Sequence, residues 1–183
     1  MSSSCDPGCA PAGDVSAALM NTDSRLREIH AGRPGEGPEQ RMLTEQFMAS
    51  LGPGEADALL DGTCTLIFLF MKWLREAHED QDEDVLAHVV PSVVAMMRAM
   101  PRSVRPEAIP TMSGLLVASA MGLSPGLWRK QYGYWTKEEM TPLEVTAVLL
   151  AEHINRLAGD PDYATRIIID ALSDDGDEED SED

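Results

Sequence analysis

Apolar side chains recur at steps of three and four along most of this chain, a spacing that places them on one face of an α-helix. No segment alternates apolar and polar residues over the length that a half-buried strand requires. Proline, glycine and capping residues separate the periodic segments. The pattern therefore predicts an all-α protein in which seven to eight helices form a single compact domain with an orthogonal or bundle-like arrangement.

The two ends of the chain lack this periodicity. Residues 1–13 are rich in serine, glycine and proline, and residues 173–183 contain eight acidic side chains. Neither segment has enough apolar surface to offset the entropy of ordering its backbone. We therefore expect a disordered N-terminal segment at 1–13, an all-helical domain at 14–172 and a disordered acidic tail at 173–183.

Capping residues predict where particular helices begin. Asp14 is expected to cap the first helix, and a second is expected at 38–51. Thr141, Pro142 and Glu144 have the spacing of a capping box for a long helix near the C-terminus. These signals are local, so they predict helix starts without reference to the rest of the fold.

Three further patterns predict how the helices pack. The helix expected at 55–78 is apolar on nearly every side, which is typical of a central helix. Pro91 interrupts the next periodic segment and predicts a kink or a restart. Gly114, Ala118 and Gly122 recur at steps of four, which predicts close approach of another helix.

Charge is distributed unevenly within the net charge of −18. Residues 1–84 carry 16 acidic and 6 basic side chains, residues 85–137 carry 1 and 6, and residues 138–183 carry 15 and 2. The overall field opposes non-specific binding to nucleic acid or to an anionic membrane. The longest apolar run, 63–71, is also too short to cross a bilayer. We expect no membrane association and a cytoplasmic location, since no signal peptide is readable at the N-terminus.

Sequence patterns that would indicate chemistry fail on physical grounds. The segment 122–126 matches a nucleophile elbow, but Pro125 follows the serine and has no N–H to donate to an oxyanion. The three cysteines are Cys5, Cys9 and Cys64, too few and too scattered for a zinc site. No histidine follows a glutamate at the spacing of a di-iron ligand pair. We predict no catalytic residue, no metal and no cofactor, and favour a protein without enzymatic activity.

The segment 127–137, LWRKQYGYWTK, is the exception, since it combines four aromatic side chains with three cations and has no acid. Such residues carry much of the binding energy at protein interfaces. They also stack on nucleic-acid bases, or cover a core while the cations remain in water. The candidate partner-binding residues are Trp128, Arg129, Lys130, Tyr132, Tyr134, Trp135 and Lys137.

We therefore expect an interaction or regulatory protein that binds a protein partner through 127–137. The acidic tail offers a second contact, either to a basic surface of that partner or as a mimic of nucleic acid. The alternative is a helical enzyme or small-ligand binder with a pocket between helices, lined by residues such as Met97, Trp128 and Tyr132. A third function, nucleic-acid binding, is opposed by the net charge.

Overall fold

The computed structural model of the protein describes residues 9–32, 42, 46, 49–50, 53–133 and 135–177. The regular secondary structure of this part is helical, as predicted. The helices are α1 (Ala12–His30), α2 (Pro53–Glu79), α3 (Val85–Arg98), α4 (Ile109–Ala120), α5 (Pro125–Tyr132), α6 (Lys137–Ala158) and α7 (Tyr163–Asp177), with a 3-10 turn at Pro106–Ala108. The predictions for residues 1–8, for most of 38–51 and for 178–183 lie outside the described residues.

The helix α2 passes through the centre of the protein, as its all-round apolar sequence predicts. It packs against every other described helix, and the nine residues 66–74 include five large side chains that are completely buried. The fully buried side chains of this stretch are Leu66, Ile67, Phe70, Met71 and Leu74. Each contributes about 1.5–3 kcal/mol by leaving water, so α2 organises the core around which the other helices assemble.

The helix α6 supplies the other long contact surface. It runs parallel to α1, because Asn21 bonds to Glu144 near the middle of both helices and His30 bonds to Glu152 nearer their ends. Gly159 ends α6 in the left-handed conformation, at φ 67°, and α7 then returns alongside it. Among the described residues, no helix combines the length and the apolar character that a membrane crossing would need.

Two predicted helix starts are wrong. Asp14 lies inside the first turn of α1, because the N–H groups of Asp14 and Val15 both donate to the Pro11 carbonyl oxygen. The capping box of α6 is formed by Thr136 and Glu139, so Pro142 lies inside the helix. In α6 the capping signal of Thr136 lies five residues before that of Thr141, whereas in α1 Pro11 occupies the N-cap position without a side-chain hydrogen bond.

The helices α3 and α7 also extend beyond what their sequences predicted. α3 continues through Pro91 without the predicted restart, and Asp84 caps it by accepting the Leu86 N–H at 2.9 Å. α7 continues through Asp177, five residues into the segment expected to be a disordered tail. Helix formation is cooperative, so a helix anchored by its buried face can extend beyond the residues of its apolar pattern.

The predicted packing seam on α4 is wrong as well. Gly114 is exposed, and nothing lies within 4 Å of the position where its Cβ would be. The opposite face of α4 is the one in the core, where Met112, Leu115 and Leu116 are almost completely buried. Large side chains gain more than small ones from leaving water, so they direct the helix and leave Gly114 on its exposed face.

Candidate interaction surface

The aromatic and basic segment 127–137 lies partly in α5 and partly in the connection to α6. α5 begins at Pro125 after Ser124 and ends before Gly133, whose φ of 112° strongly favours glycine. The two tryptophans, Trp128 and Trp135, come from the helix and from the connection respectively. Tyr134 lies outside the described residues. The chain therefore folds back on itself within ten residues and brings its aromatic rings together.

Trp128 forms the centre of a stacked aromatic cluster. Its ring centroid lies 4.7 Å from that of Tyr132 and 5.4 Å from that of Trp135. Trp128 is only 8% exposed and belongs to the hydrophobic core, whereas Trp135 is half-buried and Tyr132 is 43% exposed. The ring that sequence would rank first as a binding anchor therefore holds α5 onto the protein.

A buried carboxylate fixes the outer edge of this cluster. Glu139 accepts hydrogen bonds from the Tyr132 hydroxyl and, at 2.9 Å, from the Thr136 N–H. The Tyr132 hydroxyl also lies 3.1 Å from the Thr111 hydroxyl at the start of α4. The bond to Glu139 raises the pKa of Tyr132 above its ordinary value. These contacts tie α4, α5 and α6 together at one point and fix the orientation of the Tyr132 ring.

Arg129 connects the cluster to α2. Its guanidinium lies 3.4 Å from a carboxylate oxygen of Asp57 and 3.2 Å from one of Asp61, and it stands over the Trp135 ring at 5.5 Å. The Arg129 side chain is only 17% exposed. Its charge is therefore used within the protein to hold α5 against α2, and a partner would find little of it at the surface.

The rest of the segment 127–137 faces solvent and makes no such internal ion pair with a described residue. Leu127 is 49% exposed, and Lys130, Tyr132 and Lys137 are exposed as well. The segment predicted as one binding motif thus divides into a structural half, centred on Trp128 and Arg129, and an exposed half. An interface built here would use Leu127, Lys130, Tyr132 and Lys137.

α4, which packs against α5, also has exposed apolar side chains at its C-terminal end. α4 and α5 run antiparallel, since a short connection joins them and Thr111 meets Tyr132 at their far ends. Val117 and Met121 are 37% and 72% exposed, and α4 has no charged residue. Sequence reasoning missed these two residues, although an uncharged helix in so acidic a protein was a usable signal.

Three further arginines, at the end of α3 and just after it, could add positive charge to this surface. Arg98, Arg102 and Arg105 are all exposed. Arg105 directly precedes the turn Pro106–Ala108, which packs against α4 and α6. Arg105 is therefore at the same end of α4 as Thr111, and it adds positive charge near the exposed half of the segment.

Two clefts bear on the alternative of an enzyme or small-ligand binder, whose pocket was expected between helices. One, of about 410 Å³, lies between the start of α1, the first part of α2 and α5. The other, of about 400 Å³, lies at the C-terminal end of α2. Neither is lined by Met97, Trp128 or Tyr132. Met97 is fully buried, where its sulfur accepts a hydrogen bond from the Thr146 hydroxyl.

The serine of the nucleophile-elbow match does not stand at a reactive position. Ser124 is 2% exposed and is the N-cap residue of α5. Its carbonyl oxygen accepts a hydrogen bond from the Trp128 N–H at 3.0 Å. Across 9–32 and the described residues from 53 to 177, no three histidine, cysteine, aspartate or glutamate side chains converge on a possible metal position.

A half-buried histidine near the C-terminal end of α2 predicts that the stability of the protein depends on pH. The His78 Nδ1–H donates to the Leu74 carbonyl oxygen at 2.8 Å, because a carbonyl oxygen can only accept and the proton must therefore be on that nitrogen. His153 of α6 is half-buried, and its Nε2 has no hydrogen-bond partner. Burial, and then the nearby His78 and Arg156, lower the pKa of His153 below its ordinary value of 6.5.

Folded protein thus resists protonation of His153 more than unfolded protein does. The contribution of neutral His153 to the free energy of unfolding is complete above about pH 6.5. This contribution is lost as the pH falls through the pKa that His153 has in the folded protein, which is lower than its ordinary value. We expect His153→Gln to weaken the fall in the free energy of unfolding between about pH 7.5 and pH 5. Urea unfolding of both proteins at several pH values measures this, and equal pH slopes would contradict it.

No protein-family model, curated protein or solved structure matches this chain. The fold and the surface by themselves define an acidic, all-helical protein with an uncharged helix face and an adjoining aromatic and basic edge.

Proposed function

We propose that this protein is a non-enzymatic interaction or regulatory protein that binds a protein partner at the α4–α5 surface, formed by Val117, Met121, Leu127, Lys130 and Tyr132. The observation that carries the proposal is the uncharged outer face of α4, which exposes Val117 and Met121 in a chain of net charge −18. Exposed apolar surface next to aromatic and basic side chains is typical of protein interfaces. Binding would occur in the cytoplasm, the compartment that the sequence predicts.

The charges around this surface describe the partner. Lys130 and Lys137 are exposed at its edge, with Arg105 near one end of α4, while most other surface charge is acidic. A partner with an apolar centre and acidic groups at its rim would be attracted here and repelled elsewhere, which supports a defined orientation. The acidic residues after α7 would supply a second contact, to a basic region of the same partner.

Exposed residues provide the cleanest test, because substitution of Trp128 or Arg129 would disturb the fold itself. We expect Met121→Glu with Leu127→Glu to weaken partner binding at least about thirtyfold, since loss of central interface contacts costs about 2 kcal/mol. The partner would first be identified by crosslinking to wild-type protein in its own cells. Its affinity for each variant would then be measured by calorimetry.

The chain offers a matched control. Leu157 on α6 and Ile169 on α7 are each 51% exposed, and Leu157→Glu with Ile169→Glu adds the same charge at other surfaces. This control should bind with wild-type affinity. Equal weakening by both pairs would mean that net charge governs binding, and unchanged binding by the first pair would place the interface elsewhere.

A further inference from the structure

Two cysteines that are far apart in sequence line the same cleft. Cys9, just before α1, and Cys64, in α2, both border the cleft of about 410 Å³ between α1, α2 and α5. The residues that follow them are directly bonded, since the Ala10 N–H donates to the Thr65 hydroxyl oxygen at 2.9 Å. A disulfide requires Cα atoms within about 7 Å of each other, and this bond holds the two backbones at close range.

The two cysteines differ in their access to solvent. Cys64 is 2% exposed, and burial, followed by the nearby Asp61, raises the pKa of its thiol to about 12. Cys9 is half-buried and lines the same cleft. A reagent in solution therefore reaches Cys9 more readily than Cys64, which is a protonated thiol.

We propose that Cys9 and Cys64 are a disulfide-forming pair, which a small-molecule disulfide oxidises so that the chain before α1 becomes fastened to α2. The Cys9 thiolate attacks the small disulfide, forms a mixed disulfide and expels one thiol. Cys64 then gives up its proton and attacks the Cys9 sulfur, expelling the second thiol. Two protein thiols are oxidised, and one small disulfide is reduced to two small thiols.

The oxidised form has a structural consequence for the surface described above. The same cleft is lined by Asp57, Asp61 and Arg129, whose ion pairs hold α5 against α2. The disulfide would secure residue 9 beside these ion pairs and keep α1 and α5 in place. Burial of Cys64 also slows both the formation and the reduction of the disulfide. Its thiolate is scarce as a nucleophile during formation and is a poor leaving group during reduction.

A chromogenic aromatic disulfide tests the pair in the full chain, with Cys5→Ser present to remove the third thiol. We expect two equivalents of coloured thiol per chain, a fast one from Cys9 and a slow one as Cys64 displaces the reagent. Adding Cys64→Ala should leave one equivalent, with the reagent retained on Cys9 in the intact mass. Adding Cys9→Ser instead should abolish the fast reaction while the protein stays folded by circular dichroism.

The pH dependence of the slow step distinguishes Cys64 from an ordinary cysteine. Its rate should rise about tenfold per pH unit from pH 7 to pH 9, because the thiolate fraction of a group with a pKa of about 12 rises in that proportion. Release of only one equivalent by the Cys5→Ser protein, with the reagent retained, would overturn the proposal. Peptide mapping of oxidised wild-type protein is the second measurement, and a bond from Cys5 to Cys9 or Cys64 in place of Cys9–Cys64 would also overturn it.

Discussion

Gly62→Ala should destabilise this protein by about 3 kcal/mol, although the same change in a helix usually stabilises by about 1 kcal/mol. A Cβ at position 62 would stand 2.7 Å from the carbonyl carbon of Asp14 and closer still to its oxygen. These are backbone atoms of α1, so no side-chain movement relieves the clash, and α1 must separate from α2. Thermal unfolding should show a fall of about 2–4 °C in Tm for each kcal/mol lost.

Gly114→Ala is the matched control for this substitution. Gly114 also lies within a helix, but nothing is within 4 Å of its Cβ position. The alanine should raise the free energy of unfolding by about 0.5–1 kcal/mol through the lower entropy of the unfolded chain. If both alanines stabilised the protein, the close approach of α1 to α2 would be wrong.

Trp128→Ala should lower the free energy of unfolding by about 3–5 kcal/mol, the range for removing a large buried aromatic ring. Trp128 is 8% exposed and stacks on both Tyr132 and Trp135, so its loss leaves a cavity and two rings without their common neighbour. Chemical denaturation gives the free energy. Near-ultraviolet circular dichroism should lose the signal of the stacked rings.

Leu127→Ala supplies the comparison, because Leu127 is the adjacent residue and is 49% exposed. Its truncation should change the free energy of unfolding by only about 0.5 kcal/mol. Trp128→Phe should fall between the two, since it retains part of the ring contacts. Equal stability of the Trp128→Ala and Leu127→Ala proteins would show that Trp128 is a surface residue and would restore it as a binding anchor.

These predictions separate what local pattern could predict from what it could not. The apolar residues on nearly every side of α2 follow from neighbours three or four positions apart, so its central position was legible in sequence. The helix start at Thr136 was missed, because Thr141 carries a similar signal and only packing decides between them. Gly114 was assigned to the wrong face for a related reason. Small residues at steps of four show that another helix could approach closely, but they do not show which face of the helix is buried.

The candidate surface was half predictable. The composition of 127–137 identified the region, because aromatic and cationic side chains without an acid are rare in so acidic a chain. Composition cannot say which ring faces water. Trp128 turned inward because a stacked core position removes its large apolar area from solvent, and Arg129 followed because Asp57 and Asp61 stand opposite it.

By itself the sequence determined the all-helical class, the uncharged character of α4 and the segment where aromatic and basic residues gather, since each is encoded within a few residues. The tertiary structure decided which of those residues remain exposed, that Arg129 pairs with acids about seventy positions away, and that Cys9 and Cys64 line the same cleft. Contacts of that separation depend on how whole helices bury their apolar faces together. No local spacing records that outcome.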